Sequence, residues 1–365
     1  MRFLIVEQRF GGHLLVYVRI LAEFALRHGH TVTLAIPEES RRTKEFRAHL
    51  GAVIDRITVR DIDAPIRMRK IEEMARDCSA DVVVVPHADE LATQSALGRG
   101  YRGPGRLRLL VMRDPRWEVP SPAHRRLRNA IKLRLLRRTA RRDKTDLIWL
   151  REQSYTPHTE LFARDPFIAD GTLAEIERGA LELRQRLALD VGTFWFGVVG
   201  AVSGRKNVPV VLESLAQVAK QHPATSIGFA IMGRLEQTAG FTESELIERA
   251  LAYGIRVRID NRLFSNQELN SAVSALDAVV MAYSTHAPNS TLEKARVLGT
   301  RLVAAGPPSI RRFVRESGAG WESELSIELL AFNLGLALQA EAPDSDFDRG
   351  VRQADEFAFQ LFGTQ

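Results

Sequence analysis

A chain of 365 residues with 45% hydrophobic side chains is too long for one ordinary core and too apolar for a disordered segment, so two domains are expected. The net charge of +6 hints at nucleic acid until it is located: Ser121–Arg142 carries nine Lys or Arg and no acid, leaving the rest of the chain at −3. Nucleic-acid binders interleave a spread basic stripe with aromatics, and this segment has no Phe, Trp or Tyr, which argues against nucleic acid as a partner.

No apolar run approaches the roughly 18 to 20 residues of a membrane span. The single cysteine, Cys78, rules out an intramolecular disulfide framework, and Asp77 beside it is expected to raise its thiol pKa. The opening segment carries Glu7 and runs directly into a helix pattern, so it reads as a first strand and not a cleaved signal. A cytoplasmic location is expected.

Phe3 to Val6 reads as a strand, followed by the loop Gly11-Gly12-His13 and a helix with Leu14, Val18, Leu21, Ala22 and Ala25 on one face. Gly29 closes the helix, and Thr31 to Ile36 is a second strand. The loop lacks the G-x-G-x-x-G spacing of a dinucleotide site. It reads either as a close backbone approach to a ligand or as a plain tight turn. Asp81 to Pro86 has the β-branched character of a buried parallel strand and ends at His87, Asp89 and Glu90. That end is where open α/β sheets bind ligands; a structural histidine is the other reading of His87. Leu107 to Met112 ends at Arg113, and Leu147 to Leu150 is a further strand.

Between these two strands, Leu127, Ile131 and Leu135 form a helical stripe, widened by Leu133 and Leu136, among the arginines of 121–142. Such a helix suits an anionic membrane surface, with about 1 kcal/mol per basic group. A core helix with a solvated outer face is the alternative.

Leu173 to Leu187 reads as a charged helix, and a new α/β series starts at Phe194. Its first strand, Trp195 to Val199, enters a loop that presents Gly204, Arg205 and Lys206, and Pro209 stands at the expected first helical position. Bare N–H groups at that helix start, beside two cations, make an anion site suited to phosphate. Ser226 to Met232, Arg256 to Ile259 and Asp277 to Met281 read as strands. Thr242/Glu245 and Ser265/Glu268 read as capping boxes that open helices. The second concentrated site runs from Tyr283 to Gly299, where Ser290 and Thr291 offer hydroxyls and Glu293 sits in a first helical turn. Alternation in both halves predicts an α/β protein of two doubly wound domains, 1–171 and 172–345, with an amphipathic tail helix, 346–365, packed back on the first. Asp61-Ile62-Asp63 has a metal-binding spacing but reads as a turn, and motifs for zinc or hydrolytic triads are absent from the sequence.

In order and spacing these features resemble the retaining GT-B glycosyltransferases of family 4. The likeness spans nearly the whole chain: the G-G loop, R-x-G-H-x-V at Arg27 to Val32, R-K-N at Arg205 to Asn207, S-x-x-E-L to L-D-A-V-V at Ser265 to Val280, and E-x-A-x-x-x-G at Glu293 to Gly299. The resemblance implies GT-B architecture, with two Rossmann-like domains facing across a cleft. It also implies a nucleoside-diphosphate sugar as co-substrate, no cofactor, no essential metal and a retaining outcome. Lys206 and Arg205 would hold the departing diphosphate, with His87 counted beside them as a catalytic candidate. Gly11, Gly12, His13, Gly204, Asn289, Ser290, Thr291, Leu292 and Glu293 would bind the donor, with Glu293 on the ribose. Arg113, Thr285 and His286 would contact acceptor or sugar.

The chain departs from the family at several of these points. Thr285 replaces the first acid of the Glu-x7-Glu pattern, His286 to Asn289 replace glycines, Pro288 lacks an N–H, and Ala201 stands where an arginine is expected. The expected function is transfer of a sugar to a glycan or lipid-linked acceptor in cell-surface polysaccharide or glycoconjugate synthesis, in the cytoplasm or on the inner face of the cell membrane. A GT-B scaffold that binds nucleotide or glycan without turnover is the alternative, motivated by Thr285 and Pro288. An epimerase would need acids around the cleft, and few are found.

Overall fold

Short β-branched runs become strands covered on both faces: Val82–Val85 and Ala278–Ala282 are buried at every position, as parallel sheets require. The computed structural model of the chain describes residues 1–9, 14–117, 123–151, 160–285 and 290–363. It divides into two units, Met1–Asp165 with Gln353–Gln365, and Pro166–Arg352. Among the described residues no helix is long and apolar enough to cross a membrane.

The first unit runs β1 (Arg2–Val6), α1 (Leu14–Arg27), β2 (Thr31–Ile36), α2 (Lys44–Leu50), β3 (Thr58–Asp61), α3 (Met68–Asp77), β4 (Val82–Val85), α4 (Asp89–Leu97), β5 (Arg106–Val111), α5 (Ala123–Ala140), β6 (Thr145–Arg151) and β7 (Phe162–Arg164). Its parallel sheet has the order β3-β2-β1-β4-β5-β6-β7. Phe3 pairs with Val32 on one side and Val82 on the other, which fixes β1 in the interior of the sheet. Helix α1 buries Leu15, Val18, Leu21, Ala22 and Ala25. It ends where Gly29 takes φ 70° and lets the His30 N–H reach the Ala25 carbonyl.

The second unit runs α6 (Leu173–Arg186), β8 (Thr193–Val199), α7 (Val208–Gln221), β9 (Ser226–Met232), α8 (Glu243–Ala252), β10 (Arg256–Asp260), α9 (Asn266–Ser274), β11 (Ala278–Ala282), α10 (Ser290–Val297), β12 (Arg301–Ala305), α11 (Pro308–Ser317), β13 (Gly320–Ser323), α12 (Ile327–Gln339) and α13 (Phe347–Phe362). The division between units falls inside α13. The parallel sheet has the order β10-β9-β8-β11-β12-β13. Helices α6, α8 and α9 open on capping boxes, Thr172/Glu175, Thr242/Glu245 and Ser265/Glu268, each contributing about 1 kcal/mol. Trp195 anchors the core on one face of this sheet, and Phe196 and Phe229 anchor the other.

Within the first unit, the end of α13 packs on α1 and β1. Phe357 lies 4.9 Å from the Tyr17 ring and Phe362 lies 3.9 Å from the Phe3 ring, while Arg27 pairs with Asp355. Phe357 and Leu361 are buried, whereas Val351, expected on the same face, is exposed.

Two sequence expectations change. The leucines of α5 do not form one apolar face: Leu133 and Leu136 turn inward, while Leu127 and Ile131 are 64% and 53% exposed. The Cys78 thiol is pushed up as expected, but the cause is burial and not the Asp77 charge. Asp61 of the D-x-D pair sits on edge strand β3 with its carboxylate 3.3 Å from Arg41.

Candidate functional site

In both sheets the first strand of the unit lies between the strand that follows it and a strand reached by a later crossover: β1 between β2 and β4, β8 between β9 and β11. Chain connections leave such a strand in opposite directions, opening a crevice beyond its carboxyl end where ligands bind. The residues after β1, β4, β8 and β11 therefore carry the candidate groups.

Beyond β8 the chain turns at Gly200, with φ 85°. A one-turn 3-10 segment, Gly204–Lys206, follows. Gly204 is required by close approach, since a Cβ there would meet the Thr238 carbonyl oxygen at 2.6 Å. Lys206 is 3% exposed, with its ammonium bonded to the Val199 carbonyl oxygen at the end of β8. Burial, reinforced by Arg205 and opposed by Glu236, brings its pKa down to about 7. The Arg205 guanidinium lies 4.8 Å over the Tyr283 ring, and the Arg205 carbonyl accepts the Ser284 N–H at 3.0 Å, which ties the two sides of the crevice together.

Asn207 takes the left-handed conformation, φ 44°, that Asn tolerates better than most residues. Its side-chain amide donates to the Ala282 and Arg205 carbonyls, at 2.8 and 3.0 Å, and does not cap α7. Helix α7 starts at Val208, one residue before the predicted Pro209, because Asn207 already acts as the N-cap. The start of α7 thus lacks a side-chain cap and follows directly on two cations, a ready anion site.

Past β11, Ser284 and Thr285 are exposed, and helix α10 begins at Ser290. Ser290 and Thr291 are half-buried and Leu292 is buried. Glu293, expected to face a ribose, is 4% exposed, and its carboxylate accepts N–H groups of Arg296 at 2.7 to 3.2 Å. Arg296 in turn donates to Asp346 at 3.0 Å. Gly11, Gly12, His13, His286 and Asn289 lie outside the described residues.

In the first unit, His87 follows β4 and is half-buried. Burial lowers its pKa, Asp89 and Glu90 oppose this, and Arg9 and Arg113 add to it. Asp89 caps the neighbouring loop, accepting the N–H groups of Met112 at 3.1 Å and Arg113 at 3.2 Å, while the Arg113 residue is exposed. Arg9 reaches Glu90 at 2.5 Å. The topology therefore gathers His87, Asp89, Glu90, Arg9 and Arg113 at one end of the first sheet.

Sequence reasoning passed over Glu7. It follows β1 directly, is fully buried, and takes the Arg9 N–H on Oε1 at 2.9 Å, while Oε2 has no partner among the described residues. Burial pushes its carboxyl up to about 8, against the pull of the Arg9 and Gln8 N–H groups and the Arg9 charge. The available signal was a charged residue at the end of an otherwise apolar strand. Also unforeseen was the ion cluster in which buried Asp114 meets buried Arg151 and the exposed Arg116, whose guanidiniums lie 5.1 and 5.0 Å from the Trp149 ring.

Solved structures share this fold over nearly their full length. A glycosyltransferase from Rickettsia africae aligns with a TM-score of 0.65 at 10% identity, covering 99% of this chain and 95% of that one. The Anabaena protein HepE, solved with UDP-glucose, aligns with a TM-score of 0.60 at 18% identity, covering 99% and 95%. The fold is GT-B. WaaG, a glycosyltransferase involved in lipopolysaccharide biosynthesis, aligns with a TM-score of 0.58 at 15% identity, covering 100% and 96%. At these identities the likeness is one of fold. No protein-family model matches the chain, and no curated protein does.

Proposed function

We propose that this GT-B chain is a glycosyltransferase that moves a sugar from a nucleoside-diphosphate donor to a glycan or lipid-linked acceptor in cell-surface glycoconjugate synthesis. The observation that carries the reading is the turn after β8, where Lys206 and Arg205 stand beside the uncapped start of α7. A diphosphate there meets two cations and the positive end of a helix. As the anomeric carbon–oxygen bond breaks, its electron pair goes to the phosphate, and these groups stabilise the developing charge. The acceptor hydroxyl forms the new bond and gives up its proton. Retention, as in family 4, places that hydroxyl on the same face as the departing phosphate, whose oxygen then receives the proton. Charge neutralisation by Lys206 and Arg205 makes a metal unnecessary in this scheme. His87 and Arg113, at the end of the first sheet, are assigned to the acceptor or sugar. HepE is solved with UDP-glucose, which supports a nucleotide-sugar donor of that class. WaaG acts in lipopolysaccharide biosynthesis, which supports an acceptor presented at a membrane.

A second reading, binding without turnover, has two observations in its favour: Glu293 is engaged by Arg296, and Thr285 stands where the family has an acid. Calorimetry with UDP and GDP, followed by a donor-hydrolysis and transfer assay, separates the two. Transfer that is lost in Lys206→Ala supports the enzyme. Tight nucleotide binding with no sugar release supports the binder.

A further inference from the structure

Helix α5 sorts its side chains by face. Leu136 and Thr139 are fully buried, Leu133 packs on the first-unit core, and the Thr139 hydroxyl donates to the Ala92 carbonyl at 2.7 Å. On the opposite side, at helical spacing, stand Leu127, Ile131, Arg134 and Arg138. Leu127 and Ile131 are 64% and 53% exposed, and the two arginines beside them are exposed as well. Elsewhere in this unit some exposed arginines pair with acids on their own helix, as Arg42 does with Glu38 and Arg69 with Glu73. Helix α5 has no acid, and among the described residues none forms an ion pair with Arg128, Arg134, Arg137, Arg138 or Arg141.

We propose that this face of α5 docks on an anionic lipid bilayer, with Leu127 and Ile131 entering the boundary between headgroups and acyl chains and the arginines lying against anionic headgroups. The charge is uncompensated and of one sign, as such a surface demands. Two aliphatic side chains on a convex helix give too little apolar area for a stable protein interface. The absence of aromatics from 121–142 leaves no platform for stacking bases. The inner side of the same helix connects this surface to the candidate site. The Lys132 ammonium lies 3.5 Å from Asp89, whose carboxylate holds the N–H groups of Met112 and Arg113. A bilayer on α5 is thereby linked through one ion pair to the loop that presents Arg113.

The test is co-sedimentation of the full chain with vesicles of phosphatidylglycerol mixed with phosphatidylcholine, and with vesicles of phosphatidylcholine alone. Binding is expected to the anionic vesicles only and to fall with added salt. Each lost charge weakens it roughly fivefold, so Arg134→Gln with Arg138→Gln costs about 25-fold. Leu127→Gln with Ile131→Gln costs about tenfold or more, since it removes the inserted apolar area. A polarity-sensitive dye on Leu127→Cys, in a Cys78→Ser background, is expected to shift to the blue on anionic vesicles. Equal binding to neutral vesicles, undiminished binding by either double variant, an unshifted dye, or displacement of vesicles by duplex RNA overturns the proposal. These positions are exposed, so the variants are expected to melt with the parent and to bind UDP unchanged. Failure of docking is thus distinguishable from failure of the transferase reading.

Discussion

The first strand of each unit leaves its sheet between the same kinds of neighbour, and each is followed by a buried ionisable side chain, Glu7 after β1 and Lys206 after β8. Burial disfavours charge in both, yet the results are opposite in use. The Glu7 carboxyl, pushed up to about 8, is largely neutral at pH 7, whereas the Lys206 ammonium, brought down to about 7, is near half charge. A diphosphate arriving beyond β8 would restore the charge of Lys206. Under the proposed function the same topology thus becomes an anion end in the second unit and an uncharged or acceptor end in the first.

The comparison breaks most visibly at Lys206. Lys206→Ala is expected to lower kcat/KM for the donor by about 10²- to 10³-fold, the scale of losing one preorganised donor to a transition-state oxyanion. Circular dichroism should find the fold unchanged, and an undiminished rate would remove the diphosphate from this turn.

The next largest effect is on stability. Glu7 is raised in the folded state, so its contribution is full below the unfolded value of 4.5 and is lost as pH rises through about 8. Between about pH 5 and pH 9 the parent should therefore lose on the order of 2 to 4 kcal/mol relative to Glu7→Gln, which is neutral throughout. Denaturant midpoints of both proteins across that range check this. Parallel pH profiles would mean that Glu7 is ionised in the fold.

Lys206 has the other sign. Its folded value is depressed, so its desolvation penalty is full below about 7 and is relieved as pH climbs toward 10.5. A diphosphate needs the charged form, so affinity for UDP should fall as pH rises above about 7, by up to about tenfold per pH unit. Calorimetry in buffers of different ionisation enthalpy should register proton uptake on binding, and Lys206→Arg should flatten the profile. The smallest effect is expected at Gly204→Ala, where the new Cβ meets the Thr238 carbonyl oxygen at 2.6 Å. A loss of about 1 to 2 kcal/mol in stability, with weaker UDP binding, would sharpen the view that the turn is shaped by close packing.

Much of the fold was legible because it is written in local signals. Ser226–Met232 matches the predicted bounds residue for residue, and the tail helix expected over 346–365 forms over Phe347–Phe362. The capping boxes at Thr242 and Ser265 are formed as read. Strands such as Arg301–Ala305 and Gly320–Ser323 were not singled out, being short and poor in β-branched residues. At the candidate site, the turn of Arg205, Lys206 and Asn207 was legible from its order of strand, glycine, cation and proline. The partners of its side chains were not. Asn207 reaches Ala282 and Arg205 covers Tyr283 by packing, whereas Arg296 takes Glu293 at the i, i+3 spacing of one helix.

By itself the sequence determined two α/β series, the helix starts and stops, and the concentration of positive charge in 121–142. These follow from periodicity, capping chemistry and composition, each set within a few neighbouring residues. Only the tertiary structure decided which ionisable groups lose their water. Glu7 and Lys206 look like ordinary charged residues in a line of text. Strands brought from distant parts of the chain desolvate them, and a pKa depends on what surrounds a group in space.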